Sequence, residues 1–400
     1  MSLTVAIVGC GSFAQSFIPL FKAHPLVGEV VLADVDERKL AANAAKHGVA
    51  RTLPSLDAVC AAKQLDAAVL ITQNWLHGPQ AVQALHAGKH VYSAVPAGVT
   101  VDQIRDLVAA ARASGRIYML GETSYYYPAA MYCRQKLAAG AFGHVAYAEG
   151  EYYHDWDHGL YDVMKARAGD RWREFAGSPP MHYPTHSVGM VLSVLGGRMT
   201  SVSCLGFRDR HDDGIYDVTV NRWANPYSNE TGLCRHVGGA AVRINEFRRI
   251  GHPGAEKMSL FGTRGSFQDA GAGKSFVTKE NDHVERLDER LACRRAPKQD
   301  AGAMDKLPSS DAHFYGFAPI QDAETRRLPK SFVGLTNGHF GSHQLLVDDF
   351  VTACATCRHP PNHVWAAARY VLPGLIAHES AMRNGELMEV PDFGEPPSST

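Results

Sequence analysis

Cysteine is sparse in this chain: eight are scattered over 400 residues. That is far below the density of a disulfide scaffold, so the fold must rest on a hydrophobic core, and the thiols suit a reducing cytoplasm. Basic residues are not in excess either. The formal net charge of −1 gives no field to attract nucleic acid and no polybasic patch for a membrane. No apolar run approaches the ~20 residues that span a bilayer. The first strand starts at Thr4, which leaves no length ahead of it for a secretory leader. No internal repeat is present. Cys354-Ala355-Thr356-Cys357 has the spacing of half a zinc site, yet it lies in a helical pattern without a second pair and reads as small buried residues. The expected partners are small molecules and further copies of the chain, in the cytoplasm.

What is present begins at once. Thr4-Val5-Ala6-Ile7-Val8 reads as a strand, Gly9-Cys10-Gly11-Ser12-Phe13-Ala14 as a glycine turn opening a helix, and Val30-Val31-Leu32-Ala33-Asp34 as a second strand ending in an acid. Gly9 permits the tight turn, Gly11 admits a pyrophosphate close to the backbone, and Ala14 lets the helix pack on the strand. Asp34 lies twenty positions beyond Ala14, where a carboxylate accepts hydrogen bonds from a ribose hydroxyl and repels a 2′-phosphate. The cofactor expected is NAD in preference to NADP.

At this length two domains are expected. Strands alternate with helices through Ile117–Leu120, which predicts a doubly wound parallel sheet over residues 1–122. Its ligands belong at the carboxyl ends of the strands, where Gly9–Ala14, Gln73, Asn74, Ala94–Pro96 and Glu122 fall. From His144-Val145-Ala146-Tyr147-Ala148-Glu149 onward the pattern changes to strands with few helices. Val145–Tyr153, Thr200–Phe207, Asp217–Trp223, Ala240–Phe247 and Lys257–Phe261 predict a large, mainly antiparallel open sheet in a C-terminal α/β domain spanning 123–391. The polar stretch 269–328 reads as a surface insertion and 392–400 as a loose tail.

The opening turn, Asn74-Trp75-Leu76-His77, Ala87-Gly88-Lys89-His90-Val91 and Pro96 together resemble the glucose-fructose oxidoreductase / inositol dehydrogenase (Gfo/Idh/MocA) family. The resemblance covers most of the chain. It implies an N-terminal Rossmann domain, a C-terminal α/β domain whose open sheet often forms a homo-oligomer interface, and NAD(P)-dependent oxidation or reduction of a sugar or cyclitol hydroxyl. It also implies that Gly9, Gly11, Ser12, Phe13, Ala14, Asp34, Gln73, Asn74, His77 and Pro96 hold the cofactor. One departure stands out. Where family dehydrogenases carry Glu-Lys-Pro, this chain has Ala94-Val95-Pro96, and Val95 can neither donate nor accept a proton. Likewise Met181-His182-Tyr183-Pro184-Thr185-His186 puts His182 where dehydrogenases have aspartate, while His186 keeps the histidine position. The Tyr-Pro-Thr-His run, the lost lysine and Gly121-Glu122 resemble the NAD-dependent glycosidases of glycoside hydrolase family 109. That resemblance implies functional roles for Glu122, Tyr152 and His186.

Pro184 suits the first turn of a helix, so His186 falls near a helix N-terminus that keeps imidazole neutral and able to act as a base. His182, four residues earlier, is a second catalytic candidate. The pair could also ligate a divalent metal, with His154, Asp155, Asp157 and His158 adding ligands. The alternative is a polar sugar cleft in which Val95, His154, Tyr126, Tyr183 and Trp156 contact the substrate. Three functions follow. The first is transient oxidation of a sugar or glycoside, elimination and re-reduction on retained NAD. The others are an ordinary NAD-dependent sugar or cyclitol dehydrogenase and a non-catalytic protein that binds NAD and sugar.

Overall fold

The structure is a computed structural model that describes residues 2–270, 273–295, 312–335 and 337–397. The chain falls into two compact units: Met1–Gly98, Asp102–Tyr132 and Leu287–Ala367 make the first, and Val99–Val101, Cys133–Arg286 and Ala368–Thr400 the second.

The first unit is built on β1 (Leu3–Val8), β2 (Val27–Ala33), β3 (Arg51–Leu53), β4 (Ala67–Leu70), β5 (His90–Ser93) and β6 (Tyr118–Leu120). All neighbours pair in parallel, in the order β3-β2-β1-β4-β5-β6 expected of a doubly wound dinucleotide fold. Local chemistry sets the helix ends. Asp36 accepts the N–H groups of Arg38 and Lys39 to start the helix Glu37–His47, and Gly48, at φ +57°, ends it. Residues Leu287–Ala367 return to this unit. The helix Ser342–Thr356 places Phe350 against Phe21 and Tyr92, and Phe317 and Phe332 are fully buried.

The second unit is a sheet of β7 (Val145–Tyr153), β8 (Met199–Arg208), β9 (Tyr227–His236), β10 (Ala241–Phe247), β11 (Ala255–Gly262), β12 (Gly265–Ala270), β13 (Gly273–Thr278), β14 (Asn281–Arg286) and β15 (Met388–Glu389). Among the described residues its order is β14-β13-β12-β11-β7-β10-β9-β8-β15, and β7 with β10 is the parallel pair in an otherwise antiparallel sheet. The helix Thr185–Leu195 lies across β7, β10 and β11. On β8 and β9, Leu205, Phe207 and Leu233 are instead exposed.

Three expectations are corrected. Asp217–Trp223 is a succession of turns, because the Asp217 side chain takes the Thr219 N–H and the Asn221 amide reaches the Asp217 and Asn225 carbonyls. The stretch 269–328 is no surface insertion where it is described. Phe276 on β13 is buried against Phe142, the strands extend the sheet, and the part after Arg286 packs into the first unit; 296–311 lie outside the described residues. Residues 392–395 are tethered, with Asp392 2.9 Å from Arg198 and Glu395 paired with Arg369.

The helix Thr185–Leu195 can approach β7 because Gly150 has no side chain: a Cβ there would stand 2.3 Å from the Ser187 carbonyl oxygen. Gly150→Ala is expected to lower unfolding stability by about 2 kcal/mol or more, measured as a reduced urea midpoint.

Candidate functional site

In the first unit the glycine turn has the geometry that a dinucleotide requires. Gly9 sits at φ +96°, with the position of a Cβ blocked by the Ile71 carbonyl oxygen at 2.3 Å, whereas a Cβ on Gly11 would meet nothing within 4 Å. Only glycine fits the first place, and the second leaves open space for a pyrophosphate. Ala14 is fully buried. Asp34 Oδ2 accepts the Cys10 N–H at 2.7 Å and Oδ1 the Asp36 N–H at 2.8 Å, so the carboxylate is fixed beside the turn with lone pairs left for a ribose. Beyond β4, the Asn74 side-chain oxygen is buried with no hydrogen-bond partner, an acceptor suited to a bound polar group. These residues fit NAD. His77 has a tethering role: its ring is buried between the carbonyls of Pro96 at 3.0 Å and Thr72 at 3.2 Å, tying two loops together at the strand ends. Val95 precedes Pro96 through a cis peptide bond. Glu122 is fully buried just after β6, where its Oε1 accepts the Ser124 N–H at 2.8 Å.

In the second unit a polar cluster centres on Tyr152 of β7. Its ring centroid lies 5.2 Å from that of His186 and 5.9 Å from that of Tyr183, and its hydroxyl is 3.0 Å from His154 Nδ1. The Arg248 guanidinium sits 5.0 Å over the Tyr152 ring and 3.1 Å from Glu246 Oε2. Glu246 Oε1 also accepts the Ser187 hydroxyl. Burial raises the Tyr152 phenol well above its ordinary pKa, so it is a protonated donor at neutral pH. Burial, aided by Arg248, Arg167 and His186, lowers His154 to about 4, which leaves it neutral. Burial pushes Glu246 up to about 8, against the pull of Arg248 and Ser187.

Thus Tyr152, Tyr183, His186 and His154, all expected from the sequence, come together. Glu246 and Arg248 are further members that the sequence reading missed. Their signal was phase: Val242, Ile244 and Glu246 alternate along one face of β10, so the apolar side of a strand runs into charge.

Other expectations fail. His182 does not face His186, because a 3₁₀ turn ends at His182 and the helix restarts after Pro184, so the two share no helical face. Instead the His182 ring meets His378 at 5.1 Å and Trp223 at 5.9 Å, and burial beside His378 holds it well below its ordinary pKa. His378 in turn lies 2.7 Å from the fully buried Glu230. Among the described residues no three His, Cys, Asp or Glu side chains are grouped to hold a metal. Asp155 is used locally, accepting the N–H groups of Asp157 at 2.8 Å and Ile250 at 2.6 Å. Trp156 is a core residue, 1% exposed, with its indole N–H bonded to the Tyr216 hydroxyl at 3.1 Å. Tyr126, in the first unit, is buried with its hydroxyl engaged by Asp349 and Arg327. Neither ring is a stacking surface for a sugar.

The neutral state of His154 has a consequence for stability. Between its folded value near 4 and its ordinary value of 6.5 the unfolded chain binds more protons, so stability falls as pH drops through that window. His154→Gln should make the fall in urea midpoint from pH 6.5 to pH 4 shallower than in the wild type.

The comparisons agree with this architecture. A model of the oxidoreductase family with an NAD-binding Rossmann fold matches residues 3–122, and one for the GFO/IDH/MocA C-terminal domain matches 131–268. A glycosyl hydrolase family 109 protein from Streptomyces niveus is 26% identical over 98% of this chain and 77% of its own length. One from Saccharopolyspora erythraea is 27% identical over 98% and 83%. In fold, the chain is similar to levoglucosan dehydrogenase solved with NADH and L-sorbose, with a TM-score of 0.74 and 17% identity over 98% of this chain and all of that one. No helix among the described residues is long and apolar enough to cross a membrane. This chain belongs to the Gfo/Idh/MocA family of NAD-binding oxidoreductases.

Proposed function

We propose that this chain is a carbohydrate-active enzyme that oxidises a ring hydroxyl of a sugar or glycoside transiently, eliminates the group at the anomeric carbon and reduces the ring again, keeping its NAD throughout. The observation that carries this reading is the proton-handling cluster around Tyr152 and His186 in a chain where Val95 replaces the family's lysine. The family 109 relatives support the substrate class. NAD, when bound, supplies a reversible hydride acceptor. Asp34 favours NAD over NADP, because its carboxylate would repel a 2′-phosphate.

The chain's own residues move protons. As the hydroxyl carbon is oxidised, its O–H proton goes to a base, a role that suits His186. The ketone then acidifies the adjacent C–H. Once His186 has passed the first proton to water, or Tyr152 has passed its own to His154, either can take that proton while the C–O bond to the leaving group breaks and the departing oxygen is protonated. Water adds to the anomeric carbon, the proton returns to the neighbouring carbon, and the ketone takes back the hydride and a proton. Arg248 above the Tyr152 ring steadies negative charge on the phenol as it gives up its proton. His154, neutral and 3.0 Å from that hydroxyl, can relay the proton.

Purified protein turning over an aryl glycoside without added NAD should incorporate solvent deuterium at the carbon beside the transient ketone. Turnover without deuterium would sink the elimination step, and NADH appearing one for one with product would mark a plain dehydrogenase. Tyr152→Phe should lower kcat by about 10²–10⁴-fold with the thermal midpoint nearly unchanged. We further propose a homo-oligomer through the face bearing Leu205, Phe207 and Leu233, which are 63%, 51% and 55% exposed. A Leu205→Glu, Leu233→Glu double variant should then sediment as a smaller species than the wild type.

A further inference from the structure

The helix Ser342–Thr356, in the first unit, starts without a side-chain cap: its N-cap residue is Gly341, at φ +86°. The Ser342 N–H is taken by the His339 carbonyl at 3.2 Å and the Gln344 N–H by Asn337 Oδ1 at 3.3 Å, so what this end offers an anion is the positive end of its dipole and its first two side chains. Its first two side chains are buried, 0% exposed for Ser342 and 1% for His343. Each holds a polar atom with no hydrogen-bond partner, Ser342 Oγ and His343 Nδ1. Buried orphans of this kind are expensive to leave unmade and call for an explanation.

The surroundings supply one. The chain enters the helix through His339 and Phe340, both left-handed at φ +47° and +54°. Such strain persists only where neighbours impose it. Those neighbours belong to the glycine turn: the Phe13 ring meets His339 at 5.7 Å and His343 at 5.6 Å, and Phe17 meets His343 at 4.6 Å. The turn itself opens a weak N-terminus, a four-residue 3₁₀ segment, Phe13–Ser16, followed by only six α-helical residues, Ile18–Ala23. A fifteen-residue helix stands at its side.

We infer that the N-terminus of the helix Ser342–Thr356, with Ser342 Oγ and His343 Nδ1, is a second anion cradle that completes the pyrophosphate site begun by the glycine turn. Burial and His339 keep His343 neutral down to about 3, so its ring carries a single proton. His343 Nε2 lies 2.8 Å from His339 Nδ1. When His339 donates in that bond, the His343 proton sits on Nδ1, the orphan atom, and points a donor at the anion. The inference rests on NAD binding, a property of the family, and not on the redox-neutral cycle proposed above.

Ser342→Ala and His343→Phe test it in the full chain, by calorimetric titration with NAD, ADP-ribose and adenosine and by thermal unfolding of nucleotide-free protein. Each variant should bind NAD and ADP-ribose roughly tenfold more weakly, with adenosine affinity unchanged. Nucleotide-free Ser342→Ala should unfold at the wild-type temperature or above, since it loses a buried hydroxyl that has no partner. Unchanged affinity for NAD in both variants overturns the inference. So does an equal loss for adenosine, or weaker binding that only tracks a lowered unfolding temperature, because either marks the two residues as packing alone. A wild type that exchanges NAD freely during turnover would refute the retained-cofactor cycle, whereas this comparison would still be decided by affinity.

Discussion

The contact between Gly150 and Ser187 fixes the polar cluster of the second unit. Residues two apart on a strand share a face, so the helix Thr185–Leu195 that settles on Gly150 also covers Tyr152, and His186 comes to the Tyr152 ring. Register does the rest. β10 runs parallel to β7 with Glu246 opposite Tyr152, and the chain continues two residues further to Arg248. Helix, strand and neighbouring strand thus each deliver one functional side chain from a single close approach. A Cβ at residue 150 would displace them together, which is why an atom that is absent outweighs any single hydrogen bond in the group.

The charges in the cluster are arranged around this packing. Arg248 is 8% exposed and Glu246 fully buried; a lone ion in such a place is costly, and burial pushes the Glu246 carboxyl up to about 8. Each meets the other, and Glu246 gains the Ser187 hydroxyl. Burial acts in the same sense on the neutral groups: it holds His154 unprotonated and Tyr152 protonated. The result is a donor and an acceptor side by side, 3.0 Å apart, at neutral pH. Such a pair can pass a proton without a change in net charge, a demand different from that met by a lysine cation. Val95 removes that cation from the chain's first unit, and each of the two facts supports the proposed reading of a cofactor reused within each turnover.

Much of this was legible in the sequence, and for physical reasons. The glycine turn needs particular residues because a Cβ at Gly9 collides with backbone, and β1, β2 and the helix Glu37–His47 announce themselves through apolar runs and the Asp36 cap. Tyr152 and His186 were found by motif. What escaped was decided by tertiary placement. Tyr126 and Trp156 have the right chemistry for a sugar, but aromatic type says nothing about which ring is buried, and the partners that bury them, Asp349 and Tyr216, lie 223 and 60 residues away. The four-residue spacing of His182 and His186 gives one face only if both are helical, and Pro184, already a weakness of that geometry in the sequence, separates a 3₁₀ turn from a new helix. Asp217–Trp223 has the composition of a strand, yet local side-chain to backbone bonds win where no neighbouring strand offers a ladder. The polar stretch from Asp269 was misjudged because one buried side chain is enough to seat a strand: on β13, between β12 and β14, Phe276 is buried while its neighbours are half-exposed.

His182 remains informative in its corrected place. Dehydrogenases of the family carry an acid at that position, where this chain has a neutral imidazole. Here the acid sits one layer deeper, at Glu230, which accepts the Met181 N–H at 2.9 Å and lies 2.7 Å from His378. Glu230 therefore fixes the backbone entering His182 and the ring against which His182 packs. Under the proposed cycle the Tyr152 hydroxyl, His154 and His186 are the proton-carrying groups of the second unit, and their mutual spacing is set by Gly150.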